Sequence, residues 1–207
     1  MGGAVKENGL QLIPGVYISK SGTGAAQQQV EQIAKWAQWN LVKFIVIGNE
    51  AINDGYTSAS ELASFIHSAR GTLQGAGYNG ALTTSDTINV WQGQGKALCD
   101  AVDVVGANLH PYFNSQTLAT AAGEFVASEL KILGGICPGK QTFNLETGWP
   151  NSGGSNGQAI ASKVEQAIAL KAIDLLAGSN SVFFSFEDDL WKGGGVEGHW
   201  GCLDAFS

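Results

Sequence analysis

The chain has 207 residues, a formal net charge of −7 and a pI near 4.8; 44 % of residues are hydrophobic and 14 % charged. That length supports one sizeable core and one domain over residues 1–207. An acidic chain with 11 basic residues argues against nucleic acid or anionic membrane as the main partner. No apolar run approaches the roughly 18 residues that span a bilayer. The opening MGGAVKENGL has no apolar signal core, which fits a cytoplasmic protein or a secreted one without its leader.

In chain order, short apolar runs occupy Leu10–Ile18, Lys43–Gly48, Ala81–Ser85, Val102–Asn108, Thr142–Leu145 and Ser181–Phe186. They lack polar alternation and read as strands buried on both faces. Helical patterns lie between them. Ala25–Trp39 places Val30, Ile33, Ala34 and Ala37 inward. The run Ser58-Ala-Ser-Glu61 can form a capping box, with Ser58 or Ser60 as the cap, followed by Leu62, Phe65, Ile66, Ala69 and Leu73. Leu118, Ala121, Ala122, Phe125 and Leu133 form a second stripe. Ile160, Val164, Ala167, Ile168 and Leu175 form a third, after a flexible loop over Ser152–Gly157.

Strand–helix alternation of this kind predicts an α/β fold with a parallel sheet. No GxGxxG follows a strand, so the expected architecture is a (β/α)8 TIM-barrel type. About six βα units are present, so the barrel is incomplete. An open sheet of that kind leaves two hydrophobic edges to be covered, by shifted helices or by self-association.

Parallel α/β folds place chemistry at the carboxyl ends of their strands. Those positions carry Tyr17; Asn49 and Glu50; Asp86; His110, Tyr112 and Phe113; Glu146 and Trp149; and Asp188, Trp191 and Lys192. Glu50 and Glu146 each follow an apolar strand and stand three βα units apart. Strands three apart face each other across a barrel mouth, where two carboxyls come to about 5 Å, the spacing of a retaining glycosidase. Two carboxyls in one site resist joint ionisation, so one is held protonated as an acid. Aromatic rings at strand ends suit the flat faces of pyranose sugars, and a neutral sugar suits a lysine-poor chain. His110 reads equally as a base or as a hydrogen-bonded wall residue. His67 reads as a surface or boundary residue and His199 as structural. Three scattered histidines and three cysteines without CxxC spacing give no metal site. Trp36 and Trp39 read as helix packing residues; Trp91, Trp149 and Trp191 read as cleft residues. A Cys99–Cys137 disulfide is left open by the sequence.

With these residues in view, VIGNEAI and NLETGWPNSGG resemble the two signature strands of the family-17 glycoside hydrolases, the β-1,3-glucanases and glucanosyltransferases. VDVVGANLHPYF resembles the strand between them, and EDDLWKGGGVEGHWG the end of the fungal members. The resemblance implies Glu50 as acid/base, Glu146 as nucleophile, Asn49 on the sugar 2-hydroxyl and Tyr112 beside the nucleophile. It implies Trp149, Asp188, Lys192 and Glu197 as cleft residues, beside Tyr17 and Asp86 from the strand ends. It implies a β-1,3-glucan substrate, no cofactor or metal, and an extracellular or cell-wall location. By the same resemblance Met1 falls inside the second helix of the fold, so the first two βα units are missing. The competing expectation is a glucan-binding or structural remnant without turnover; a third is another sugar specificity, such as a β-1,4-linked mannan or glucan.

Overall fold

The computed structural model describes residues 2–206; Met1 and Ser207 lie outside the described residues. The chain falls into two compact units. One comprises the described residues up to Gly106 with Gly134–Gln141; the other comprises Ala107–Leu133 and the chain from Thr142 on. Six strands, β1 (Gly15–Val16), β2 (Ile45–Asn49), β3 (Leu82–Thr87), β4 (Val105–Asn108), β5 (Thr142–Thr147) and β8 (Ser181–Phe183), stand in that order and alternate with helices, the architecture of an incomplete (β/α)8 barrel.

In the first unit, helix α1 (Gly2–Glu7) leads to β1 (Gly15–Val16), α2 (Thr23–Trp36), β2 (Ile45–Asn49), α3 (Ala59–Gly75), β3 (Leu82–Thr87), α4 (Ile88–Gln94) and the start of β4 (Val105–Asn108). The pairings β1–β2 and β2–β3 are parallel. The strand expected from Leu10 is only two residues long. Pro14 has no N–H to add to a ladder, and Leu12 makes only an isolated bridge to Val42. β2 and β3 are buried almost throughout, as their continuous apolar character requires. α3 buries Leu62, Phe65, Ile66, Ala69 and Leu73, the whole stripe read from its period. Its capping box is complete: Glu61 N donates to Ser58 Oγ at 3.3 Å, and Ser58 N donates to Glu61 Oε2 at 2.9 Å. α2 ends at Trp36, so Ala37 is a left-handed cap rather than an inward residue, and Trp39 opens the next turn. Trp39 Nε1 donates to the Ala76 carbonyl. A disulfide joins Cys99 to Cys137 with their Cα atoms 5.5 Å apart.

The second unit holds the end of β4, most of α5 (Ala122–Ile136), β5 (Thr142–Thr147), a hairpin of β6 (Ser155–Asn156) with β7 (Ala159–Ile160), α6 (Lys163–Ala177) and β8 (Ser181–Phe183). β5 and β8 pair in parallel. Neither is buried on both faces, contrary to the sequence expectation. β8 stands last in the strand order, with Val182 exposed. The loop expected at Ser152–Gly157 contains β6, closed by a turn in which Gly157 has φ +60°. Ile160 therefore lies in the hairpin, not in a helix.

The stripe expected for α6 is out of phase. Ile160, Val164, Ile168 and Leu175 are exposed, and the buried face is Gln166, Ala169, Leu170, Ile173 and Ala177. This helix carries apolar residues on two sides, and a polar residue on the true inner face hid it. Gln166 is buried because its Nε2 donates to the carbonyls of Trp149 at 2.8 Å and Gly201 at 3.0 Å. In α5, Ala122 and Leu133 are buried as expected; Leu118 lies before the helix and is exposed, and Val126 takes the inward place.

Candidate active site

The glutamates read from the sequence share one local device. In β2, Val46 pairs with Thr83 but Asn49 with Ser85, so one extra residue is accommodated between them. In β5, Asn144 pairs with Ser181 but Thr147 with Phe183, again one extra residue. Such bulges bend a strand and re-aim its side chains. Glu50 directly follows the first bulge, and Glu146 lies inside the second.

On the first unit, Gly48 has φ +88°, and a Cβ there would lie 3.3 Å from Ile18 Cδ1 and 3.3 Å from Thr84 Oγ1. Only glycine suits that backbone and that space. Glu50 has φ +49°, a left-handed conformation uncommon for glutamate and often stored at functional sites. Its N–H donates to the Ser85 carbonyl at 2.8 Å. Asp86, expected as a sugar ligand, is fully buried. Its Oδ2 accepts from Ile52 N at 3.1 Å and its Oδ1 from Thr87 N at 2.8 Å. Burial, opposed by those backbone donors, pushes its carboxyl above the ordinary range. Asp86 thus fastens the loop that follows Glu50. Tyr17 is exposed, and its backbone is clamped in both directions by Gln29 at 2.9 Å. The Tyr17 hydroxyl adjoins that of Tyr56; this neighbour, with Asp54, raises the Tyr56 pKa.

On the second unit, His110 Nε2 lies 3.1 Å from Glu146 Oε1. The Glu146 side chain keeps 29 % exposure, while that of His110 keeps 10 %. The imidazole stands edge-to-face against Trp200, with centroids 4.9 Å apart, and within ring contact of Phe113 and Phe184. Tyr112 is buried in the same aromatic layer, against Trp149 at 5.4 Å and Trp200 at 5.9 Å, and burial raises its hydroxyl pKa. Trp149, expected at the cleft surface, is fully buried with Nε1 donating to the Ile160 carbonyl at 2.8 Å. Trp91, also expected there, is buried in the first unit with Nε1 on the Gly106 carbonyl. Both are packing residues of their units.

Asp188 is a tie point. It accepts from Asn151 Nδ2 at 2.9 Å and Gly201 N at 2.8 Å, and lies 3.2 Å from His199 Nδ1. Lys192 pairs with Asp189 at 2.9 Å and lies over the Phe184 ring at 4.8 Å. Trp191 is 81 % exposed, with Nε1 donating to Asp189 Oδ1 at 3.2 Å. Glu197 is exposed in the turn Val196–Gly198. A depression of about 390 Å³ beside Asp188 is bounded by Asn151, Lys163, Glu187 and Asp204; neither Glu146 nor His110 lines it.

The partnership of His110 with Glu146 is a contact that the sequence leaves undecided. The signal was the placement of His110-Pro-Tyr directly after β4; the sequence does not specify which nitrogen meets which carboxylate. Trp200, which backs the imidazole, stands in the sequence only as part of the Glu-Gly-His-Trp-Gly run. Among the described residues no group of three or more His, Cys, Asp or Glu is placed to hold a metal ion, and no helix is long and apolar enough to cross a membrane.

Parallel βα units with carboxylates and aromatic rings at the strand ends define a (β/α)-barrel type of protein. The chain belongs to the BtgE/BtgC glycoside hydrolase domain family, whose model matches residues 1–201. It is 55 % identical over 210 residues to a probable beta-glucosidase, btgE, of Neosartorya fischeri, covering 100 % of this chain and 38 % of that protein. It is 56 % identical over 209 residues to the btgE protein of Aspergillus clavatus, covering 100 % of this chain and 37 % of that one. The chain thus spans less than two fifths of the length of these relatives. An active-site mutant of the Rhizomucor miehei β-1,3-glucanosyltransferase, in complex with laminaritriose, superposes with a TM-score of 0.85 at 21 % identity, over 97 % of this chain and 74 % of that one. One of two plant β-glucan endohydrolases superposes with a TM-score of 0.61 at 17 % identity, over 96 % of this chain and 89 % of that one. These structural likenesses show the fold.

Proposed function

We propose that the chain is the catalytic domain of a retaining family-17 type glycosidase acting on β-1,3-glucan. Glu146 attacks the anomeric carbon while Glu50 protonates the leaving glycosidic oxygen. The bond from Glu146 to the sugar forms as the glycosidic bond breaks. Glu50 then removes a proton from the incoming acceptor, which displaces Glu146. Water as acceptor gives hydrolysis; a second glucan chain gives transfer. Asn49 contacts the sugar 2-hydroxyl, and Tyr17, Lys192 and Glu197 contact flanking sugars. The observation that carries this reading is the matched pair of bulges, which delivers one glutamate at the carboxyl end of each of two parallel strands.

Two findings support the substrate class. The structural neighbour from Rhizomucor miehei holds laminaritriose, and the acidic chain suits a neutral polymer. The Cys99–Cys137 disulfide fits an oxidising, extracellular or cell-wall setting.

The test is incubation of this chain with laminari-oligosaccharides and separation of the products. Shorter products mean hydrolysis, and products longer than the substrate mean transfer. Glu146→Gln is expected to lower turnover by at least ~10³-fold. Binding of laminarin without any cleavage would replace the enzyme reading with that of a glucan-binding domain. Faster cleavage of a β-1,4-linked mannan or glucan than of laminarin would overturn the substrate class.

A further inference from the structure

We propose that His110 is the positioning residue of the glycosyl-forming step: its Nε2–H holds Glu146 Oε1, so that Oε2 is the oxygen presented to the anomeric carbon. The inference rests on Glu146 being the nucleophile and goes further, assigning the group that aims it. Three observations, all within the second unit, carry it.

The first is the pairing itself, at 3.1 Å between Nε2 and Oε1. The second is the state of the other ring nitrogen. His110 Nδ1 is buried and finds no hydrogen-bond partner among the described residues. A neutral imidazole carries one N–H and one lone pair. The carboxylate is an acceptor and faces Nε2, so a proton belongs there, and no second partner at Nδ1 pulls the ring another way. The third is the setting of the ring. Trp200, Phe113 and Phe184 stand around it, leaving the imidazole little freedom to swing away. A hydrogen bond to a charged group among aromatic rings is stronger than one in water.

A carboxylate free to rotate would present either oxygen to the sugar. With Oε1 held, rotation about the last side-chain torsion is stopped and the attacking lone pair on Oε2 is fixed. Holding a nucleophile in near-attack geometry acts on the rate of the bond-forming step and not on the affinity for sugar.

The experiment isolates that step. A 2-deoxy-2-fluoro-β-laminaribiosyl fluoride forms a bond between C1 and the nucleophile as the C1–F bond breaks. Fluoride leaves with the electron pair and needs no protonation by Glu50. The fluorine at C2 slows release, so the glycosylated enzyme accumulates and is located by mass spectrometry of peptides. His110→Phe keeps a ring against Trp200 and loses the donor. His110→Gln places its amide nitrogen as many bonds from Cα as Nε2; His110→Asn places it one bond short.

The expected result is labelling of Glu146 in the unaltered chain, slowed on the order of 10- to 100-fold in His110→Phe and His110→Asn. The reagent concentration giving half-maximal labelling rate should not change, and His110→Gln should regain most of the lost rate. Thermal melts verify that each variant is folded; if His110→Phe fails to fold, the contrast between Gln and Asn decides. Equal labelling rates in all folded variants would overturn the role of His110 while leaving Glu146 as the nucleophile. Equal slowing in Gln and Asn would also overturn it, because the position of the donor would then not matter. Absence of label on Glu146 in the unaltered chain would overturn the double-displacement reading, and the positioning role with it.

Discussion

Asp86 Oδ2 accepts the backbone N–H of Ile52 at 3.1 Å, tying the end of β3 to the loop that begins at Glu50. The same carboxylate accepts Thr87 N through Oδ1. Removing it leaves the backbone donors of Ile52, Asn53 and Thr87 without that acceptor, close to the residue proposed as acid/base. Asp86→Ala is expected to cost ~1–3 kcal/mol in urea unfolding. It should also lower turnover with natural glucans more than labelling by an activated fluoride, because only the former needs Glu50 as a proton donor. Equal losses in both assays would mean that the loop does not position Glu50.

Gly48 makes a sharper demand. Its φ of +88° and the nearness of Ile18, Thr84 and Leu62 to any added Cβ leave no relaxed place for a side chain. Gly48→Ala adds one methyl group to a buried bulge and forces a backbone that alanine disfavours. The expected loss is ~1–3 kcal/mol of stability, with residual turnover below that of the parent even at temperatures where the variant is fully folded. A Gly48→Ala variant as stable as the parent would show that the bulge relaxes at no cost.

The contrast between Gly48 and Gln166 shows what a sequence can disclose. Six strands, the capping box of α3 and its inward stripe are local patterns, so they could be read from residue order alone. The Gly-Asn-Glu run could be read as a strand end, but not as a bulge, because an extra residue has meaning only against its partner strand. α6 misled because periodicity finds an apolar stripe without knowing which side faces the core. The deciding group, Gln166, is polar and buried through bonds to Trp149 and Gly201, both distant in sequence. The site behaved in the same way. The glutamates at strand ends were legible. The fully buried placement of Asp86 and Trp149 was not, since a carboxylate that holds backbone N–H groups reads in sequence like one that holds a sugar.

The Cys99–Cys137 disulfide closes a loop of sequence separation 38 within the first unit. In the chain-entropy account a loop of that size confers about 4 kcal/mol by restricting the unfolded chain, before any enthalpic correction. Reduction, or a Cys99→Ser, Cys137→Ser double variant, is expected to lower unfolding stability by ~2–4 kcal/mol. The single thiol at Cys202 is buried, and burial raises its pKa. Thiol titration of the folded chain should therefore react slowly at neutral pH, and fully only on unfolding. An unchanged urea midpoint in dithiothreitol, with complete reduction shown by thiol count, would contradict the assigned stabilisation.

Asp188 gives the second unit a pH dependence of definite sign. Burial alone would raise its carboxyl, but the Gly201 N–H, His199 and Asn151 outweigh it and hold the pKa below the ordinary carboxylate value. A folded pKa below the unfolded one means that the unfolded chain binds more protons in that window. Asp188 thus contributes stability that is fully present above the unfolded value near pH 4 and is lost as the pH falls through the folded one. Asp86, whose folded pKa is raised, acts in the opposite sense: its contribution is fully present below its unfolded value and is lost as the pH rises through the folded one. The two are separated by variants. In urea unfolding followed from pH 7 down to about pH 2, the gap between the parent and Asp188→Asn should be widest above pH 4–5 and close toward the acid end. Because the Asp188 side chain is 30 % exposed, added salt should narrow the gap at neutral pH without removing the part due to hydrogen bonds. A gap that widens as the pH falls would mean that the carboxylate is held by the fold at a cost, and that Gly201, His199 and Asn151 do not stabilise its charged form.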